Sequence, residues 1–190
     1  TKLNKCFLNF RADPLENINL LTALCGELLD GSCALYNRLE GDLLCFIGKW
    51  KAPPDFKDFD KARGHICCDV IQDGSDIVRV IRNLPGTKYA ETDPNILKYN
   101  LQTYVGRVVK LGEVAVGAMC VMYRQDFVPT ENEEELLGII ALAIGVEEKR
   151  LQGEIALKQS EKRYHKITST ISDYICSVRV EKGRAAETTY

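Results

Sequence analysis

The stretch Thr103–Arg150, TYVGRVVKLGEVAVGAMCVMYRQDFVPTENEEELLGIIALAIGVEEKR, predicts a strand, a tight turn, a second strand, a loop and a long helix. Residues 104–111 are mainly β-branched or aromatic with polar breaks, and Gly112-Glu113 provides the turn. Residues 114–123 are almost wholly apolar, which is typical of a central strand that is covered on both faces. The stretch therefore predicts a hairpin inside a sheet, followed by a helix.

The predicted helix has a well-defined start and an apolar first half. Thr130 is followed three residues later by Glu133, a spacing that indicates a capping box. Every residue from 136 to 146 is apolar or glycine. Because a helix that is apolar all round must be buried on two sides, we expect one side to pack on the sheet and the other on a second copy of the chain.

The residues before this stretch predict a helix, more strands and one long loop. Asp13 followed by Pro14 is a typical helix start. Segment 50–63 contains Pro53-Pro54 and many charged residues, which favours an exposed loop. The other predicted elements are strands at 32–38 and 43–49, a short helix at 64–71, a third strand at 77–81 and a helix that begins at Thr92.

Residues 103–150, together with GHICCDVIQDGSDIVRVIRNLPG at 64–86, resemble a GAF domain, a small-molecule-sensing module that is common in signalling proteins. The resemblance covers residues 13–150. It implies an α/β fold in which helices flank an antiparallel sheet of five or six strands, with long N- and C-terminal helices.

The two ends of the chain predict connections to other modules. Residues 1–12 indicate an incoming helix, and residues 147–168 form a charged segment whose spaced apolar residues favour a coiled coil over a solvated single helix. Residues 169–190 resemble the truncated start of a PAS domain. This order is similar to that of bacterial and archaeal sensor histidine kinases, and implies a cytoplasmic homodimer that signals to downstream PAS and kinase modules.

The composition excludes several classes of function. A net charge of −2 and a pI near 5.8 give no electrostatic reason to expect nucleic acid or an anionic membrane as a partner. No apolar run reaches the ~18 residues that a membrane span requires. The eight cysteines include no Cys-x-x-Cys and no zinc-like spacing, so we expect buried free thiols in a reducing compartment and no metal or cofactor.

The resemblance places a ligand pocket beside the long loop. The candidate pocket residues are Trp50, Phe56, His65, Cys68, Tyr104 and Arg107. Trp50 and Phe56 are expected to wall an apolar ligand, and His65 to offer a hydrogen bond. Arg107 either pairs with a carboxylate of the ligand or is an ordinary charge on the strand surface.

These observations predict a non-catalytic regulatory domain for an unknown small molecule, and two alternatives stay open. One is a cysteine-dependent reductase of free methionine sulfoxide that uses Cys67, Cys68 or Cys120, as in some small GAF-fold enzymes. The other is a dimerisation scaffold whose pocket is filled by side chains. The chain has no phosphate loop, no G-x-S-x-G elbow and no Cys-His pair of the kind that holds a bilin in phytochrome-type domains.

Overall fold

The computed structural model describes residues 2–175, 178–181 and 184–188, and their side chains as far as residue 169. The chain divides into two units, Thr1–Leu151 and Gln152–Tyr190.

The first unit contains a six-stranded antiparallel sheet. Its strands are β1 (Cys33–Glu40), β2 (Leu43–Trp50), β3 (Phe59–Lys61), β4 (Arg79–Ile81), β5 (Thr103–Leu111) and β6 (Val114–Tyr123), in the spatial order β3-β2-β1-β6-β5-β4. The hairpin of β5 and β6 matches the predicted bounds except that β5 begins one residue earlier, and β6 lies inside the sheet as its apolar sequence indicates.

The described helices are α1 (Lys2–Leu8), α2 (Pro14–Leu28), α3 (Ile66–Asp73), α4 (Tyr89–Thr92), α5 (Pro94–Lys98) and α6 (Glu131–Ile175). Both predicted helix starts are confirmed. Asp13 accepts a hydrogen bond from the Leu15 amide. At the start of α6, the Thr130 amide donates to Glu133 at 2.7 Å, and the Glu133 amide donates back to the Thr130 hydroxyl at 3.4 Å.

Alternate residues of the four long strands, β1, β2, β5 and β6, enter two separate cores, because successive side chains of a strand point to opposite faces. On one face, α2 and the first half of α6 cover residues such as Tyr36 and Val105. On the other face, α3, α5 and the loops between strands cover residues such as Leu35 and Tyr104. The predicted α/β architecture is therefore confirmed, with six strands between helices.

Within one copy of the chain, the apolar first half of α6 is buried on one side only, against the sheet. Leu137, Ile140 and Ile144 are fully buried against the sheet. Leu142 and Val146 are 67% and 60% exposed on the other flank. The expected contact of that flank with a second copy stays a prediction.

Three details differ from the sequence prediction. Phe59–Lys61 lies in the predicted exposed loop but forms a short edge strand with residues 43–45. The third predicted strand is reduced to Arg79–Ile81, and a short helix, Tyr89–Thr92, precedes the predicted one. These elements are three or four residues long, too short for a hydrophobic period, so tertiary pairing decides them.

The second unit contains the end of α6 and a two-stranded antiparallel hairpin, β7 (Val178–Glu181) and β8 (Arg184–Thr188). A hairpin fits the predicted start of a PAS domain but is common to many folds. That assignment therefore stays a prediction. Within the residues described, no helix is both long enough and apolar enough to cross a membrane.

Candidate functional site

A cavity lies on the face of the sheet that α3 covers, and it is lined by strand residues, the start of α3 and segment 51–56. Its volume is about 40 Å³, which is space for about three water molecules. Exposed Lys51 and Arg124 lie at one side of the lining, while Asn37, Cys67 and Cys120 are buried. The cavity therefore has an outer, charged side and an inner, polar end.

Aromatic side chains form much of the cover. Phe56 packs edge-on against Phe46 of β2, with ring centroids 4.8 Å apart, and contacts Tyr99 at 5.9 Å. Pro53 lines the cavity beside it. Phe56, one of the predicted pocket residues, thus belongs to a cover formed by segment 51–56, which connects two strands without regular structure of its own.

His65, another predicted pocket residue, lies at the cavity beside a buried carboxylate. Its Nδ1 is 3.2 Å from Oδ2 of Asp93, and both side chains are nearly inaccessible. The second oxygen of Asp93 accepts a hydrogen bond from the Asn95 amide and so caps α5. Burial of the imidazole opposes its protonation, but the hydrogen bond and charge of Asp93 outweigh burial and raise the pKa of His65.

The inner end of the cavity holds two thiols. Sγ of Cys67, in the first turn of α3, lies 3.7 Å from Sγ of Cys120 in β6. Nδ2 of Asn37 donates to Cys67 at 2.9 Å, and the Tyr104 hydroxyl is 3.5 Å from the same sulfur. The hydrogen bond with Cys120, then those with Tyr104 and Asn37, lower the pKa of the Cys67 thiol despite its burial.

Tyr104 reaches this thiol because of the residue two positions further along β5. Gly106 has no side chain, and a Cβ atom there would collide with the Tyr104 hydroxyl and ring. The ring therefore lies along its own strand, over Gly106. Tyr104 is a predicted pocket residue that the structure does bring to the cavity.

Arg107 was expected at the pocket but lies on the opposite face of the sheet. It follows Tyr104 by three residues, and residues an odd number apart in a regular strand point to opposite faces. Its guanidinium approaches Gly138 of α6 and lines a surface groove of about 450 Å³. The reading of Arg107 as a ligand for a carboxylate in the cavity is therefore wrong.

Trp50 was also expected at the pocket and also lies on the other face. Phe46 and Trp50 are four residues apart, which in a regular strand would place both at the cavity. The structure pairs Tyr36 with Gly48 but Asn37 with Phe46, so Ile47 is an extra residue and forms a β-bulge. Beyond the bulge the faces are exchanged, and the indole packs over Gly26 of α2.

Cys68 is buried next to the cavity but does not line it. Neighbouring residues of a helix point about 100° apart, so α3 can direct only one of Cys67 and Cys68 to the thiol pair. Burial raises the pKa of the Cys68 thiol. Within the described residues, no group of three or more His, Cys, Asp or Glu side chains could hold a metal ion.

Two site residues carried sequence signals that the prediction did not use. Asn37 interrupts the apolar strand 33–36 at a position that shares a face with Leu35, and a polar residue at a core position is unusual. Asp93 precedes Pro94 and was interpreted only as a helix start. Its second role depends on tertiary contact with His65, which the sequence does not show.

Two buried carboxylates of α6 connect this helix to the sheet and to α2. Oε1 of Glu148 accepts a hydrogen bond from the Tyr36 hydroxyl at 2.8 Å, and Arg38 contacts the same carboxylate. Glu147 accepts from Asn17 of α2 at 2.9 Å. Both glutamates are at most 3% exposed, although they begin the charged segment 147–168 for which the sequence predicts a coiled-coil linker. Burial and then Glu148 raise the pKa of Tyr36.

No protein-family model matches the chain, and no curated protein matches it. Among solved structures, the nlh2 GAF domain of A. Aeolicus in an inactive state is similar with a TM-score of 0.60 and 16% identity, covering 78% of this chain and 91% of that one. The phycoerythrobilin-bound GAF domain from a cyanobacterial phytochrome has a TM-score of 0.64 and 11% identity, covering 80% and 95%. At these identities the likeness establishes the fold: the chain has the fold of GAF domains.

Proposed function

We propose that this chain is a non-catalytic regulatory domain that senses a small molecule within a cytoplasmic sensor histidine kinase or a similar signalling protein. The observation that supports this most is the cavity on the sheet face opposite α2 and α6, which has a buried polar end. The fold shared with GAF domains adds to it. The identity of the molecule stays open.

In this proposal, binding acts through the cover and α3. A ligand larger than about three waters must displace segment 51–56, because the closed cavity has a volume of only about 40 Å³. The displacement changes the environment of Asn37, and the next residue towards the N-terminus, Tyr36, bonds Glu148 of α6. Strand β1 thus offers a direct physical route from the cavity to the helix.

The proposed output is a dimer. The exposed flank of α6 that contains Ile139, Leu142 and Val146 is an apolar stripe that a second copy would cover. Residues 147–168 would continue the contact as a coiled coil, and the downstream PAS and kinase modules would receive a rotation or shift of the helices.

A second candidate function is supported by the thiol pair. Cys67 and Cys120 lie 3.7 Å apart at the cavity, as a cysteine-dependent reductase of free methionine sulfoxide would require. The closed cavity is too small for that substrate without displacement of the cover. Thiol-dependent turnover of free methionine sulfoxide would favour this candidate, and lack of turnover would exclude it.

Native mass spectrometry of the purified chain tests the sensor proposal. We expect the wild type to carry a co-purified small molecule, and Ala52→Leu, which adds volume to the cover, to lose it. Ala90→Leu in α4 is the matched control, since Ala90 does not line the cavity, and should retain it. If the wild-type chain carries no co-purified molecule and binds nothing from a metabolite mixture, the result would instead support a dimerisation scaffold.

A further inference from the structure

The sulfur atoms of Cys67 and Cys120 lie close together at the cavity, although buried cysteines that serve only to fill space have no reason to be in contact. The two sulfurs are 3.7 Å apart, and both residues line the cavity while belonging to the buried core on that face of the sheet. A disulfide bond is about 2.05 Å long, so the sulfurs would have to approach by roughly 1.7 Å. Such a movement is small for a helix that packs on a sheet.

The contacts around the two sulfurs favour Cys67 as the nucleophilic member of the pair. Three groups hold its sulfur, namely the thiol of Cys120, the amide of Asn37 and the hydroxyl of Tyr104. All three can donate hydrogen bonds to a thiolate, and the position in the first turn of α3 favours negative charge further. The hydrogen bond with Cys67 and burial raise the pKa of the Cys120 thiol well above its ordinary value.

The same end of the cavity has an unused acceptor. Within residues 2–169, Oδ1 of Asn37 is the buried side-chain nitrogen or oxygen that has no hydrogen-bond partner, and Asn37 is 1% exposed. A buried acceptor without a partner is destabilising, and a small molecule with an O–H group would supply the missing donor. The volume of about 40 Å³ admits only a few heavy atoms.

We propose that Cys67 and Cys120 form a redox-active dithiol that hydrogen peroxide, entering the cavity, oxidises to a disulfide. Peroxide fits the space, and one of its O–H groups has a partner in Asn37. The Cys67 thiolate attacks one peroxide oxygen, the O–O bond breaks, and the released hydroxide takes up a proton and leaves as water.

The second step closes the disulfide. The Cys120 sulfur attacks the sulfenic acid on Cys67, the S–O bond breaks, and the hydroxyl leaves as water with the proton of the Cys120 thiol. Two thiols lose two electrons in all, and one peroxide gains them to give two waters. A thiol reductant reverses the oxidation. Closure pulls α3 towards β6, and the use of this movement as a signal rests on the proposed function.

The test is oxidation of the purified, reduced chain by hydrogen peroxide, followed by alkylation, digestion and mass spectrometry. We expect the Cys67–Cys120 disulfide to form and dithiothreitol to remove it. Cys120→Ser should instead trap a sulfenic acid on Cys67, which dimedone labels, and Cys67→Ser should give neither product. Cys68→Ser is the matched control: it removes the adjacent buried thiol that does not line the cavity and should leave the disulfide unchanged.

A comparison of oxidants tests the role of the cavity. Oxidised glutathione is too large for it and should form the same disulfide at least tenfold more slowly than hydrogen peroxide. Absence of the 67–120 linkage, its loss in Cys68→Ser, or equal rates with the two oxidants would overturn the proposal. Circular dichroism of each variant confirms that it has folded before it is oxidised.

Failure of this proposal and failure of the proposed function give different results. Hydrogen exchange of the oxidised and reduced chains reports on α3 and α6 separately. If the disulfide forms but hydrogen exchange in α6 does not change, the dithiol proposal is supported and the proposed route from the cavity to α6 is contradicted. If the disulfide does not form but the native mass spectrum shows a bound small molecule, the sensor proposal is supported and the dithiol proposal is contradicted.

Discussion

The hydroxyl of Tyr36 in β1 lies 2.8 Å from Oε1 of Glu148 in α6, and both side chains are fully buried. Tyr36 points to α6, and the next residue, Asn37, points into the cavity. Two consecutive residues of one strand therefore contact the candidate site and the output helix, on opposite faces of the sheet.

We expect Tyr36→Phe to lower the free energy of unfolding by about 1–3 kcal/mol, because it leaves a buried carboxylate oxygen without its donor. Arg38 still contacts the carboxylate, which prevents a larger loss. Urea unfolding measures the change. Tyr164→Phe, at an exposed position of α6, is the control and should change stability by less than about 0.5 kcal/mol. Equal effects of the two substitutions would contradict a role for the Tyr36–Glu148 contact.

Two glycines of α6 should respond in opposite directions to alanine. A Cβ at Gly145 would lie 2.6 Å from the backbone oxygen of Lys110, so Gly145→Ala must push α6 away from β5 at a cost of about 1–3 kcal/mol. Gly153 has open space around it, and Gly153→Ala should be neutral or stabilising by up to about 1 kcal/mol. Thermal and urea unfolding compare the two. A stabilising Gly145→Ala would show that α6 does not pack as closely as described.

The stability contributed by His65 should depend on pH. Its pKa is raised in the folded chain, so protonation favours the fold, and the contribution is complete below about pH 6.5 and is lost as the pH rises through the folded pKa. The stability difference between wild type and His65→Gln should therefore be larger at about pH 5.5 than at about pH 8.5.

An NMR titration checks the cause of this pH dependence. The chain has two histidines, and His165→Gln leaves His65 as the single imidazole. Its titration midpoint should lie above about 6.5 and should fall in Asp93→Asn, which removes the carboxylate that favours the proton. An unchanged midpoint in Asp93→Asn would refute the assigned cause.

The exposed flank of α6 should control self-association. We expect the wild type to sediment as a dimer at tens of micromolar and Leu142→Glu to sediment as a monomer, because the charge would be buried in the interface. Val114→Glu places the same charge on an equally exposed residue at the start of β6 and should remain a dimer. A monomeric wild type would remove the proposed path to the downstream modules.

Long periodic segments made the fold predictable. The hairpin of β5 and β6 and the capped start of α6 follow from hydrophobic pattern and local chemistry, which act within a few residues of the chain. The edge strand Phe59–Lys61 exists only because residues 43–45 lie beside it. A pairing partner of that kind is not visible in a three-residue segment.

The site was harder to predict than the fold, because it depends on the direction of single side chains. Simple alternation along β5 excludes Arg107 from the face of Tyr104, so this error was avoidable. The position of Trp50 was not predictable in the same way, since one extra residue at Ile47 reverses the alternation. The meeting of Cys67 with Cys120 joins residues 53 positions apart and needed the assembled sheet.

The empty side-chain position at Gly106 also matters for how such chains diverge. A single base change can convert a glycine codon to an alanine codon. The new Cβ at position 106 would force the Tyr104 phenol away from the thiols without changing the identity of any residue that lines the cavity. Relatives that keep both cysteines but carry a larger residue at this position should be poor responders to oxidants. Under the dithiol proposal, the residue at position 106 should therefore predict whether a related chain responds to oxidants.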